Sequence, residues 1–159
     1  MADHWHMHST PLLRTAVLTD LPELLRLEAQ FVGDRLSVRQ FRHHLKQPDQ
    51  RLRACTNGRG LLGYSLRLRR GGSAAARLYS LVVDTAMRGG GLGKQLLLDA
   101  EKQAAVCGVH SLRLEVRADN AAALALYAQA GYQPIGRYKH YYDDGMDAVR
   151  MQKTLYSTP

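Results

Sequence analysis

The chain is poor in the features that mark several common protein classes. It has two cysteines, Cys55 and Cys107, far apart and outside any metal-binding or redox spacing. No apolar run approaches the roughly 20 residues that a membrane-crossing helix needs. The opening stretch, MADHWHMHST, has neither an apolar core nor a cleavage-like site, so no export signal is expected. The two thiols are therefore expected to stay reduced, in a cytoplasm. Acidic residues are scarce as well: 14 Asp and Glu face 22 Lys and Arg, for a net charge of +8 and a pI of about 9.8. Such an excess serves either solubility or an anionic partner, which would be nucleic acid, a phosphorylated cofactor or an acidic substrate. It is spread rather than blocked, and densest at Arg51, Arg53, Arg59, Arg67, Arg69 and Arg70. No recognised nucleic-acid-binding module accompanies it, so a nucleic-acid partner is not expected.

What is present suits one domain. The 159 residues are 45% hydrophobic and 23% charged, and show no internal repeat and no linker. Residues 1–10 read as a flexible arm and 11–157 as a single domain. Within the arm His4, His6 and His8 alternate; that spacing can chelate a metal, but a polar terminus reads as a disordered arm, and no metal site is expected.

Periodicity then divides the domain. LLRTAVL (12–18) reads as a first strand. Asp20 with Glu23 has a capping-box pattern that opens a helix carrying Leu24, Leu25, Leu27 and Glu28. Ser37 with Gln40 repeats it before VRQFRHHL, and Gln47, Pro48 and Asp49 stop that second helix. Alternation follows in RLRACT (51–56) and LLGYSLRLRR (61–70), joined by the turn NGRG, and again in AARLYSLVVD (75–84). Leu92, Leu96, Leu97, Ala100 and Ala104 recur at helical spacing up to Gly108. SLRLEVR (111–117) places Leu112, Leu114 and Val116 on one face and Arg113, Glu115 and Arg117 on the other. Asp119 or Asn120 caps an alanine-rich helix that ends at Gly131. Two last strands, YQPIGR and MDAVRMQKTL, flank the aromatic segment YKHYYDDG. The pattern is a mixed, α+β-like α/β domain.

The stretch RGGGLGKQLL (88–97) lies between a strand and a helix. Glycine lets backbone N–H groups converge without a Cβ, and a helix N-terminus favours negative charge, so the loop is built to hold an anion. It is not a Walker A loop, because Gln95 rather than Ser or Thr follows Lys94. Nor is it a dinucleotide fingerprint, because the glycine spacing is wrong and the loop sits late in the chain.

Arg88, Gly91 and Gly93 instead form Arg-x-x-Gly-x-Gly, with LYSLVVD before and KQLLLDAEKQA after. This closely resembles the acetyl-CoA pyrophosphate loop of the GNAT superfamily of N-acetyltransferases. LEVRADNAAALALYAQAGY (114–132) and YYDDGMDAVRM (141–151) resemble the strand–helix segment and last hairpin of its ribosomal-protein-alanine N-acetyltransferase family. The motifs cover about residues 75–155; residues 12–70 agree in the order of elements. The resemblance implies the GNAT acyl-CoA N-acyltransferase fold: a central, mostly antiparallel, splayed sheet flanked by helices.

It also implies roles. The backbone of Leu81, Val82 and Val83 would pair with the pantetheine arm of acetyl-CoA, the Val83 N–H polarising the thioester carbonyl. The amides of Arg88, Gly89, Gly90, Gly91, Leu92, Gly93 and Lys94 would hold the pyrophosphate, and Asn120 the pantetheine or thiol end. Glu115 matches the family's general base, taking a proton from the amine directly or through water, its pKa raised by partial burial. Tyr127 matches its general acid, returning a proton to the departing sulfur. Patterning alone leaves Glu115 equally a member of a charge ladder with Arg113 and Arg117, and Tyr127 a packing residue. Tyr138, Tyr141 and Tyr142 fall where the family's aromatic loop lines the peptide slot; packing at a hairpin edge is the other reading. Phe31 falls in the substrate-contacting region, where LEAQFVGDRLSVRQF (27–41) departs from the family: the usual Trp and Ser are absent. Asp34 and Arg35 either reshape the acceptor site or merely cap and solvate a loop.

The expectation is thus a cytoplasmic, bacterial-type acetyltransferase, monomer or homodimer, acting through acetyl-CoA and no metal. The acceptor is a primary amine: the α-amino group of a protein or peptide first, a small-molecule amine second. A non-catalytic acyl-CoA-binding or ribosome-associated module is the remaining alternative.

Overall fold

The computed structural model describes residues 10–31 and 35–155; the expected N-terminal arm with His4, His6 and His8 falls outside them but for Thr10, as does Asp34. Arg14 decides where the first strand ends. Strand β1 is Leu12–Thr15, shorter than its apolar pattern. The Arg14 guanidinium donates to both Asp20 oxygens, at 2.7 and 2.9 Å, and the Val17 N–H donates to the same carboxylate at 2.8 Å. This closes a 3-10 turn at Leu18–Asp20 and holds the Asp20 carboxyl below its ordinary range. With that carboxylate engaged, the expected capping box at the start of α1 (Leu21–Glu28) does not form. Glu23 instead accepts from Arg26 at 2.6 Å and from the Leu61 N–H at 3.0 Å. The second box does form: Ser37 and Gln40 exchange hydrogen bonds of 2.8 and 3.1 Å at the head of α2 (Val38–Leu45).

Strands β2 (Leu52–Thr56), β3 (Leu61–Leu68) and β4 (Ala75–Val83) follow, then α3 (Leu92–Val106), β5 (Ser111–Arg117), α4 (Ala121–Gln129), β6 (Gln133–Tyr138) and β7 (Ala148–Thr154). The strands form one seven-stranded sheet in the order β1-β2-β3-β4-β5-β7-β6. The chain packs as two compact units, one of residues up to Ser65 with Leu81–Leu96, the other of Leu66–Ser80 with the residues from Leu97 on. Strands β3 and β4 and helix α3 run through both.

In the first unit Cys55, Leu62, Leu92 and Leu96 form a buried cluster with Leu13, Leu81 and Val83 against it. Gly63 is required there: a Cβ would stand 2.5 Å from the Val82 carbonyl oxygen and 2.8 Å from Leu96 Cδ1. Buried Glu28 accepts from the Leu36 N–H at 2.7 Å and from the Tyr64 hydroxyl, tying α1 to the chain that enters α2.

In the second unit β5 alternates as its sequence dictates, with Leu112, Leu114 and Val116 buried. It pairs antiparallel with β7 from Ser111↔Thr154 to Arg117↔Ala148. Its parallel register with β4 covers three pairs, Ala75↔Ser111 to Arg77↔Arg113. Strand β5 continues four residues beyond Arg113, so the two strands part beyond that point. Buried Glu101 accepts from the Tyr132 hydroxyl at 2.9 Å and from Lys153 at 2.8 Å, fixing α3 to the segment between α4 and β6 and to β7.

Most of the dense arginines are consumed within the fold. Arg53 and Arg67 are buried, Arg51 grips Asp49 at 2.8 Å, and Arg69 donates to the Ser73 and Cys107 carbonyls at 2.7 Å.

Candidate active site

The glycine loop is anchored before it turns. Asp84 follows β4 directly; its N–H donates to the Leu62 carbonyl at 2.8 Å, and its carboxylate accepts from Arg26 at 2.9 Å and Gln30 at 3.1 Å. The Ala86 N–H, also donating to Asp84, starts the turn Thr85–Met87. Gly89 and Gly91 then adopt φ of +85° and +81°, the left-handed region open to glycine, and a Cβ at either would meet nothing within 4 Å. Leu92 is buried and begins α3, whose first N–H groups have no intrahelical acceptor. Gly90 completes the exposed turn, and Gly93 and Lys94 lie in the first turn of α3. Leu81, Val82 and Val83 are the last three residues of β4, with Val82 buried and the others half-buried. Backbone donors in a glycine cradle at a helix N-terminus match the needs of a pyrophosphate. Phe31 lies in the same unit, with the Arg88 guanidinium 5.8 Å from its ring centre. Arg35 donates to the Phe31 carbonyl at 2.6 Å.

In the second unit Glu115 stands in the middle of a cationic sheet face. Its carboxylate, 10% exposed, accepts from Arg77 Nε at 3.0 Å. Directly opposite in the β5–β7 register is Arg150. The charge ladder that the strand pattern allowed does not form. Arg113 donates instead to Gln152 at 2.6 Å, and Arg117 pairs with Asp144 at 2.6 Å and Asp119 at 3.1 Å. The partner of Glu115 comes from β4, through a parallel pairing that no local pattern in the chain reveals.

Arg77 also donates to the Tyr141 hydroxyl at 2.9 Å, which joins the aromatic hairpin to the base candidate. Tyr141 stacks on Tyr138 at 5.6 Å and meets Tyr142 edge-on at 5.0 Å. The Arg117 guanidinium lies 4.9 Å from the Tyr142 ring centre, and Arg150 donates to the Tyr138 hydroxyl at 2.7 Å. The three tyrosines thus form one cluster pinned by three arginines. Tyr127 is buried on α4, edge-on to Tyr132 at 5.7 Å. Burial pushes its phenol up to about 12, with Tyr142 adding to the effect. Tyr142 is raised as well, by burial first, then by Tyr141 and the Glu115 carboxylate. Asn120, rather than Asp119, caps α4, its side-chain oxygen accepting from the Ala123 N–H at 3.0 Å.

The chain's pattern missed Arg77, Arg150 and the Asp84 anchor. The alternation of β4 could have placed Arg77 on a face with Tyr79, but not beside Glu115. Among the described residues no group of three or more His, Cys, Asp or Glu is placed to hold a metal ion, and no helix is long and apolar enough to cross a membrane.

Comparison with known proteins adds a second line of observation. Residues 17–155 match the family described as Acetyltransferase (GNAT) domain. The chain is 36% identical, over 84% of its length and 86% of the relative's, to N-alpha-acetyltransferase RimI of Mycobacterium tuberculosis. It is 28% identical, over 90% of its length and 92% of the relative's, to an N-alpha-acetyltransferase of Sulfolobus acidocaldarius. The crystal structure of the ribosomal-protein-S18-alanine N-acetyltransferase from Escherichia coli superposes with a TM-score of 0.81 at 26% identity, covering 94% of this chain and 97% of that one.

Proposed function

The chain belongs to the GNAT acetyltransferase family, and from that premise we propose that it transfers acetyl from acetyl-CoA to the α-amino group of a protein or peptide. The observation that carries this reading is the similarity to an N-alpha-acetyltransferase across most of both chains. The site's chemistry supports it.

In this reading residues 11–157 act as one catalytic domain. The amides of Arg88 to Lys94, with Gly89 and Gly91 free to turn, hold the pyrophosphate. The backbone of Leu81, Val82 and Val83 pairs with the pantetheine arm, and the Val83 N–H donates to the thioester oxygen, where negative charge develops. The Asn120 oxygen serves the helix, so its side-chain NH2 is the group left to face the cofactor. Glu115 receives the proton that the amine nitrogen loses as the N–C bond forms and the C–S bond breaks. Tyr127, protonated at neutral pH as an ordinary phenol is and more firmly so because burial raises it to about 12, donates to the leaving sulfur. Arg77 is a positioning residue: its guanidinium fixes the Glu115 carboxylate and, through Tyr141, the aromatic wall. Tyr138, Tyr141 and Tyr142 are the residues of the second unit, and Phe31 the residue of the first, that we assign to contact with the acceptor.

A small cationic amine would be drawn by acidic walls. The face around Glu115 carries Arg77, Arg113 and Arg150 instead, which favours an α-amine over a polyamine. The similarity to a bacterial N-alpha-acetyltransferase supports reading it as a bacterial-type enzyme, and the cytoplasm is the compartment proposed for it.

The test is thiol release from acetyl-CoA with peptides of varied first residue, the same peptides with blocked N-termini, and a panel of small amines. Turnover on free but not blocked N-termini is the expected result. Turnover confined to small amines would overturn the reading, and none at all despite saturable acetyl-CoA binding would point to a non-catalytic module.

A further inference from the structure

Four arginines line one cavity of about 400 Å³ in the second unit: Arg70, Arg77, Arg113 and Arg150, with Ser73 beside them. Among the described residues, the carboxylate that touches this set is Glu115 alone, on Arg77. Arg113 directs its Nε to Gln152, and Arg150 its Nη1 to the Tyr138 hydroxyl. Arg150 Nε is buried and has no hydrogen-bond partner. Guanidinium groups gathered with so little counter-charge repel one another, and a buried N–H without an acceptor is costly. An anionic group in the cavity relieves the repulsion among them.

The shape of the surroundings identifies the anion. Arg77 lines the cavity and also holds Glu115 at 3.0 Å and the Tyr141 hydroxyl at 2.9 Å, so the cavity opens beside the acceptor site rather than apart from it. Arg113 and Glu115 are alternate residues of β5 on one face, about 7 Å apart. That is also the step between alternate residues of an extended peptide laid along the sheet. The geometry points to an acceptor peptide with Asp or Glu at its second or third residue, the side-chain carboxylate held in the arginine cavity while the α-amine meets Glu115. This inference rests on the N-terminal acetyltransferase reading and names its substrate class. It also gives a use to part of the chain's positive charge that the fold does not itself consume.

The experiment compares kcat/KM for matched peptides bearing Glu or Gln, and Asp or Asn, at the second and third residues, with intact protein and with Arg113→Gln, Arg70→Gln and Arg113→Lys. In the unaltered protein the acidic peptide is favoured about tenfold or more, chiefly through KM, and the preference shrinks with added salt. Both glutamine variants bring the ratio toward one, and Arg113→Lys keeps part of it; thermal melts establish that each variant is folded. An acidic-to-neutral ratio near one in the unaltered protein, or a preference that survives both glutamine variants, overturns the proposal and leaves the N-terminal reading standing. If the ratio is one and a short RNA oligonucleotide binds with an affinity that both variants abolish, the cavity belongs to nucleic acid and the proposal falls. Turnover on no peptide of either charge overturns the proposal together with the reading beneath it.

Discussion

Replacing Glu115 with glutamine separates the two roles this side chain can have, because their magnitudes differ. The Glu115 side chain is 10% exposed and pairs with Arg77 at 3.0 Å; the Arg77 side chain is 38% exposed. As an ion pair half open to solvent, it contributes about 1–2 kcal/mol to stability. For a domain of this size that loss lowers Tm by roughly 2–8 °C. It leaves more than about 99% of the protein folded at 25 °C, if the fold has an ordinary stability of about 5 kcal/mol or more. As a general base, the same carboxylate contributes about 10²–10⁴-fold to the rate. Loss of the ion pair alone cannot imitate that, since the folded fraction hardly changes. Glu115→Gln is therefore expected to lower kcat/KM on its peptide by at least 100-fold while Tm falls by only a few degrees. Arg77→Gln removes the same ion pair together with the bond to Tyr141, so its Tm should fall at least as far, with a smaller loss of activity because the base survives. Thiol release and thermal melts on the two variants side by side make the measurement. A Glu115→Gln enzyme within about threefold of the unaltered kcat/KM, with the Tm loss intact, would make Glu115 a structural partner of Arg77 and refute its catalytic role.

Other parts of the site make separate expectations. Gly91→Ala forces a Cβ onto a backbone at φ +81°, a strain of about 1 kcal/mol; since the space there is open, the expected result is a several-fold higher KM for acetyl-CoA with a Tm change of under about 4 °C. Gly63→Ala drives a methyl to 2.5 Å from the Val82 carbonyl, so it should cost about 2 kcal/mol or more and be seen as a marked fall in Tm. The Tyr127 phenol, raised from 10 to about 12 by burial, stays protonated in the fold at pH values where the unfolded chain ionises. Its stabilising share is thus complete below about pH 10 and is lost as pH rises toward 12, by about 2–3 kcal/mol. Urea melts between pH 9 and 12 should show a slope that Tyr127→Phe reduces; an unchanged slope would mean that the phenol is solvated.

The pattern of the chain carried most of the architecture, and the reasons for its failures are local. Strand β5 is legible because alternation at Leu112, Leu114 and Val116 meets a core on one side only. The end of β1 is not, because Arg14 reaches Asp20, and a six-residue ion pair leaves no periodicity to read. The same carboxylate, once taken, could not cap α1, whereas Ser37 had no competitor and capped α2. Glycine requirements divide in the same way. Gly89 and Gly91 announce themselves by density, while the need for Gly63 depends on Val82 and Leu96, which only the fold brings near. At the candidate site, residue types were legible through resemblance, but partnerships were not. A parallel β4–β5 pairing sets Arg77 against Glu115, and the aromatic hairpin turns Tyr141 back onto that arginine.

These partnerships bear on which amines can react. An amine must lose its proton before it attacks, and the face around Glu115 is cationic, so a protonated amine is repelled there and the neutral form is favoured. At pH 7 an α-amine of pKa about 7.7–8.0 is already about a tenth neutral, whereas a lysine of pKa about 10.4 is neutral in fewer than one molecule in a thousand. The arginine field lowers both, and only the first then lies within reach of neutral pH. For a peptide with a free N-terminus, kcat/KM should rise with pH and level off near or below the amine's own pKa. A peptide whose N-terminus is blocked and whose only amine is lysine should be at least about 100-fold poorer at pH 7 and gain about tenfold per pH unit up to pH 9. Equal rates on the two amines at pH 7 would show that the site deprotonates its acceptor without help from the acceptor's own pKa, and the electrostatic selection argued from Arg77, Arg113 and Arg150 would be wrong.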